Sequence, residues 1–142
     1  MKITDLRIMR FYVLEGINVG YGPGGYVRST IGAFENEWYA GEFYEKNCVD
    51  EYYSFDISPV EMYITEEDYE NIFKKNNKSD KFKLFYGECI IGTKMGWHRE
   101  IPERLGIFPT GSESKPIFLE ELAKEEERYC SMFDESVAIY IR

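Results

Sequence analysis

The chain has 142 residues, 44% of them hydrophobic and 17% aromatic, which is enough for one packed core and argues against disorder. At this length roughly 68–70% of the unfolded surface can be buried, so a single domain over residues 1–142 is expected. The formal net charge of −9 disfavours direct nucleic-acid binding by the acidic region, because that binding draws on counterion release by clustered cations.

The charge is unevenly spread. Residues 1–34 carry +2, residues 35–70 carry −11, residues 71–115 carry +4 and residues 116–142 carry −4. The stretch from Phe34 to Glu70 holds twelve acids, one base (Lys46) and ten aromatic residues. Such a segment attracts a basic protein or a cation. The three cysteines, Cys48, Cys89 and Cys130, are odd in number and 41 residues apart, but their flanks share nothing, so neither a disulfide framework nor a repeat is read from them. The N-terminal run mixes charges into its apolar residues, and no stretch approaches 18 apolar residues. A soluble, cytoplasmic protein without a membrane segment is therefore expected.

Leu6 to Val13 reads as a strand with one wetter face. Gly16 to Gly25 is a glycine-rich loop, and Tyr26 to Phe34 returns to strand composition, which together suggest a hairpin. Glu37–Glu45, Glu51–Ile57 and Val60–Ile64 are aromatic and β-branched, and they predict strands with a bend at Ser58-Pro59. Thr65 before Glu66-Glu67-Asp68 marks a helix N-cap, with the helix running to about residue 75 and turning out at Asn76-Asn77. Lys81 to Ile91 reads as a core strand. Gly92 to Pro116 reads as irregular, with a helical turn at Pro102–Leu105. A long helix is predicted over 118–133, followed by a strand at Val137–Ile141. The expected class is α+β: an antiparallel sheet of about six strands with two helices, near residues 65–75 and 118–133.

Gly20, Gly22 and Gly25 satisfy G-x-G-x-x-G, but a strand rather than a helix follows, so the dinucleotide reading fails. No kinase signature or P-loop accompanies it. Tyr21, Tyr26 and Arg28 instead suit an interaction loop, since Tyr and Arg are enriched at interfaces. His98 is the only histidine, and the strand setting of Cys89 argues for an inert thiol. No calcium loop or zinc spacing is present. No catalytic residue, metal or cofactor is therefore expected, and an enzyme is the less expected class.

The leading expectation is a non-enzymatic binding or inhibitor module. Its acidic, Tyr-rich face would dock on a basic partner protein, such as a nuclease, a toxin or a component of a bacterial defence system. Carboxylates at strand spacing would stand in for phosphates, in the manner of a nucleic-acid mimic, and aromatic residues would anchor. The candidate residues are Glu35, Glu37, Trp38, Tyr39, Glu42, Tyr44, Glu45, Asp50 and Glu51. The alternative is a small ligand-binding or enzymatic domain with loop 16–25 as a lid. The sequence leaves the oligomeric state open.

Overall fold

The computed structural model describes residues 1–20, 25–74, 81–125 and 128–142. Among these, six strands close into a barrel in the order β1-β2-β6-β4-β5-β3. They are β1 (Arg7–Val19), β2 (Tyr26–Phe34), β3 (Ser54–Ile64), β4 (Lys83–Gly96), β5 (Arg99–Pro109) and β6 (Ser131–Ile141). The helices are α1 (Glu37–Asn47), α2 (Glu66–Tyr69), which continues into a π turn at Glu70–Lys74, and α3 (Ser114–Ala123). The α+β class stands, but the sheet is mixed: β2 runs parallel to β6, and β3 parallel to β5. The plain antiparallel sheet is thus corrected to a mixed sheet closed into a barrel.

The barrel is built from one ββαβ unit used twice. β1 and β4 each break register once, at Leu14/Glu15 and Ile90/Ile91, 76 residues apart. The opposing glycines, Gly32 and Gly106, are 74 apart, and the third strands correspond at 77, as Ile57 to Asp134. The seams between the halves repeat as well: Ala33 pairs Ile139, and Ile107 pairs Met62. Four tyrosines lie on bare glycine backbone at matching places. A Cβ on Gly16 would come 2.3 Å from the Tyr52 ring, and one on Gly92 would come 2.7 Å from Tyr129. On Gly32 it would meet Tyr140 at 2.6 Å, and on Gly106 it would meet Tyr63 at 3.0 Å. The 41-residue cysteine spacing has no part in this repeat.

Alternation along the strands sends Phe11, Val13, Val60, Met62, Ile64 and their counterparts into the barrel, where they are buried. One end is plugged by the turn after α2, where Phe73 meets Phe11 and Phe85 edge-on, each at 6.2 Å. Thr65 caps α2 by accepting from the Asp68 amide at 3.1 Å, as its sequence predicts. The expected turn at Asn76-Asn77 lies outside the described residues. At the other end the interior turns polar. Arg104 reaches across the mouth to donate to Glu15 (3.0 Å) and Thr30 (3.3 Å), and Arg28 pairs Asp56 at 3.2 Å.

Several elements differ from expectation. Glu37–Glu45 is helical, because Asn36 accepts from the Tyr39 amide at 2.9 Å and Ala40, Tyr44 and Cys48 recur at helical spacing on the buried side. The two strands expected around Ser58-Pro59 are one strand, and 99–109 is a strand without a helical turn at Pro102–Leu105. Among the described residues the β3–β5 ladder is confined to Met62↔Ile107. Pro59 and Pro102 lie toward the hairpin end of that seam, where a strand tolerates a missing N–H. The helix predicted over 118–133 starts and stops earlier, at Ser114 and Ala123. Beyond it, Tyr129 covers Gly92 and the Cys130 amide donates to the Thr93 carbonyl (2.7 Å), so tertiary contacts override helix propensity there.

Replacing either Gly16 or Gly92 by alanine forces the covering tyrosine aside. Each change is expected to destabilise by about 1–3 kcal/mol, with the two costs similar in chemical denaturation because the contact is the same in both halves.

Candidate functional site

The acidic, aromatic stretch spans the whole length of the barrel. Glu66–Asp68 sit at one end of β3 and Asp50–Glu51 before the other, so the 11-residue strand separates them by about 35 Å. The acids therefore do not gather on one face, and the relevant surface is α1 with the turn after it.

α1 divides its residues sharply. Ala40, Tyr44 and Cys48 are buried with Leu14 and Phe34, and Tyr44 packs on Phe55 with ring centroids 4.2 Å apart. Tyr44, at 4% exposure, is thus a core residue and not a surface contact. Glu35 and Glu42 are tied to the end of the chain. The Arg142 amide donates to the Glu35 carboxylate at 2.5 Å, and the Arg142 guanidinium lies 3.3 Å from Glu42. The guanidinium also stacks on Tyr39 and Phe82, 4.3 Å from each ring centre, so Tyr39 is half-buried beneath it. Burial raises the Glu35 carboxyl above its usual range, whereas the hydrogen bond from Lys46 (2.7 Å), with help from Arg142, lowers that of Glu42.

The remaining candidates face solvent. Glu37, Glu45, Asp50 and Glu51 are exposed, and Trp38 is 69% exposed, its indole edge-on to Tyr39 in a shallow hollow shared with Tyr12 and Asn36. Val49 and Tyr53, in the turn beyond the other end of α1, are also exposed. The turn is held in place by Asn18, which donates to the Glu51 carbonyl (3.4 Å) and accepts from the Tyr53 amide (3.1 Å). Because α1 replaces the expected strand, its carboxylates project at helical spacing, and strand-spaced phosphate mimicry does not apply to them.

The loop candidates fall elsewhere. Tyr21 lies outside the described residues, Tyr26 is exposed near the hairpin tip, and Arg28 is engaged with Asp56 at the barrel mouth. Trp97, 88% exposed, and His98, at a positive φ of 62°, form the tip of the β4–β5 hairpin. Cys89 sits in the barrel wall, far down the same strand from that tip, and burial pushes its thiol up to about 12. Among the described residues no group of three or more His, Cys, Asp or Glu is placed to hold a metal ion, and no helix is long and apolar enough to cross a membrane. Comparison with protein-family models, curated proteins and solved structures finds no match.

The signal for α1 was present in the sequence: Asn36 before Glu37, Lys46 in the last turn, and an apolar i, i+4, i+8 series at Ala40, Tyr44 and Cys48. Aromatic β-propensity outweighed it. Which faces of the helix were free could not be read, because Arg142 lies a hundred residues away in sequence.

Two outcomes follow from this local structure. A Cβ on Gly41 would meet nothing within 4 Å, so Gly41→Ala is expected to raise stability by about 0.5–1 kcal/mol in thermal or denaturant unfolding. A thiol reagent is expected to modify Cys130 readily in the native protein, and Cys48 and Cys89, both buried, only on unfolding. Labelling of Cys89 at the rate of Cys130 would contradict the barrel packing.

Proposed function

We propose that this chain is a non-enzymatic binding module whose α1 face docks on a basic surface of a partner protein. The observation that carries this reading is Trp38, a large aromatic residue left 69% exposed beside Glu37 on α1, the helix that also presents Glu45. Tryptophan is a residue type that dominates interface energetics when a partner desolvates it. The carboxylates of Glu37 and Glu45 on α1, and of Asp50 and Glu51 in the turn after it, supply long-range attraction and selectivity for a cationic surface. None of the four has an ion-pair partner among the described residues. A groove that normally holds nucleic acid is a basic surface of this kind, which would make the module an inhibitor of the protein that owns it. Glu35, Glu42, Tyr39 and Tyr44 support the face from within by fixing α1 against the barrel.

The test is capture of partners from nuclease-treated host lysate, followed by kinetics on whatever is retained. Lysine substitutions at Glu37, Glu45, Asp50 and Glu51 are expected to slow association and flatten its salt dependence. Trp38→Ala is expected to speed dissociation and cost about 2 kcal/mol of affinity with little change in thermal stability. Retention of the same partners, at the same salt, by the four-lysine variant would reject the proposal.

A further inference from the structure

The seams that close the barrel are short, and beyond each of them two strand edges run on without a ladder. Among the described residues, β2 pairs with β6 only at Ala33 and Phe34, and β3 with β5 only at Met62 and Ile107. The two open stretches are guarded differently. Both β3 and β5 carry a proline there, Pro59 and Pro102, and proline on an edge discourages strand addition. Neither β2 nor β6 contains one. From Tyr26 to Ser29 the residues on both faces of β2 are exposed, as in a strand that projects past the barrel with β1 at its side.

The closure of this hairpin fixes which backbone groups point outward. The Gly20 amide donates to the Gly25 carbonyl at 2.8 Å, which makes Gly20 and Gly25 a hydrogen-bonded pair. Such pairs alternate with non-hydrogen-bonded ones along an antiparallel ladder. With Val19 opposite Tyr26 and Asn18 opposite Val27, it is Gly25, Val27 and Ser29 that turn their polar groups toward β1. Tyr26, Arg28 and Thr30 turn theirs to the open edge.

We propose that this edge pairs antiparallel with the same edge of a second copy of the chain, about a two-fold axis and away from the α1 face. Outward groups must meet outward groups, so one residue of β2 faces its own counterpart on the axis. With Arg28 on the axis, guanidinium would meet guanidinium. With Ser29 or Thr30 there, the ladder would need Ile31, close to the seam where β6 already lies. A centre at Tyr26 would run off the start of β2. Val27 satisfies every constraint. Tyr26 then faces Arg28 of the other copy on each side and exchanges backbone bonds with it, and the two Val27 side chains meet at the closer, non-hydrogen-bonded position. Charge permits this contact despite the net −9, because residues 16–34 contain one base, Arg28, and no acid. Asp56, which lies beside the arm, is held by Arg28 at 3.2 Å.

Sedimentation velocity of the full chain, over a concentration series into the millimolar range, is expected to show a monomer–dimer equilibrium. Val27→Lys sets two ammonium groups together on the axis while leaving the exposed hairpin otherwise intact, and is expected to weaken the dimer about tenfold. Ile101→Lys, the same change at the matching exposed position of the proline-guarded arm, is expected to leave it unchanged. In a Cys130→Ser background, mild oxidation is expected to link Val27→Cys chains into covalent dimers. Ser29→Cys chains are expected to stay unlinked, since their thiols would stand about 13 Å apart along the ladder. A chain that stays monomeric throughout the series would overturn the proposal. So would a dimer disrupted by Ile101→Lys and not by Val27→Lys, or cross-linking through position 29 and not 27.

Discussion

The barrel depends on two short parallel seams, where one ββαβ unit meets the other. Their ladders are brief, Ala33 and Phe34 against Ile139 and Tyr140 on one side and Met62 against Ile107 on the other. Side chains do most of the joining. Tyr140 lies over Gly32 and stacks on Phe34 with centroids 4.9 Å apart, while Tyr63 lies over Gly106 and stacks on Phe108 at 5.9 Å. Both glycines sit beside the register breaks in the hairpins. A side chain at either position would hold the tyrosine off and open the seam, so the bulge, the glycine and the ring form one device used twice.

From that closure the distribution of polarity follows. The apolar interior has two ends, and each is sealed by different chemistry. The turn after α2 plugs one with Tyr69, Ile72 and Phe73. The other is crossed by Arg104, whose side chain is only 20% exposed and whose partner Glu15 is nearly buried. Removing one member of such a pair strands the other charge in a desolvated place, so the mouth is a point where a conservative change is costly. Beyond it the two hairpins continue as arms, tipped by exposed residues such as Val19, Tyr26, Met95 and Trp97.

Duplication also explains why the outer surface is uneven. One unit spends its helix on aromatic packing, with Phe43, Phe82 and Tyr140 arranged around Phe34, and presents an acidic outer face. The other packs fewer rings beneath its helix, with Phe118 against Phe108 and Tyr63. Two copies of one unit are stable with different fillings because the seams and the interior, which both share, carry the closure. The helices are then free to differ in sequence and packing.

The sequence by itself determined the class of the fold, the Thr65 cap, the strands at 26–34 and 137–141, the burial of Cys89, and the concentration of negative charge in residues 35–70. Each of these rests on a local pattern: a capping residue, alternation, composition. Tertiary structure decided what depends on distant partners. The barrel closes through pairs such as Ala33 and Ile139, more than a hundred residues apart, which no window along the chain contains. The helix at Glu37–Asn47 and the strand at Arg99–Pro109 were masked by residues whose local preferences, aromatic or proline, yield to packing and to an open strand edge. Of the surface residues named from the sequence, Glu37, Trp38, Glu45, Asp50 and Glu51 kept their exposure, while Tyr44 turned inward and Glu35 and Glu42 were claimed by Arg142. Charge is a property of the residue, but whether a charge is available to a partner is a property of its neighbours.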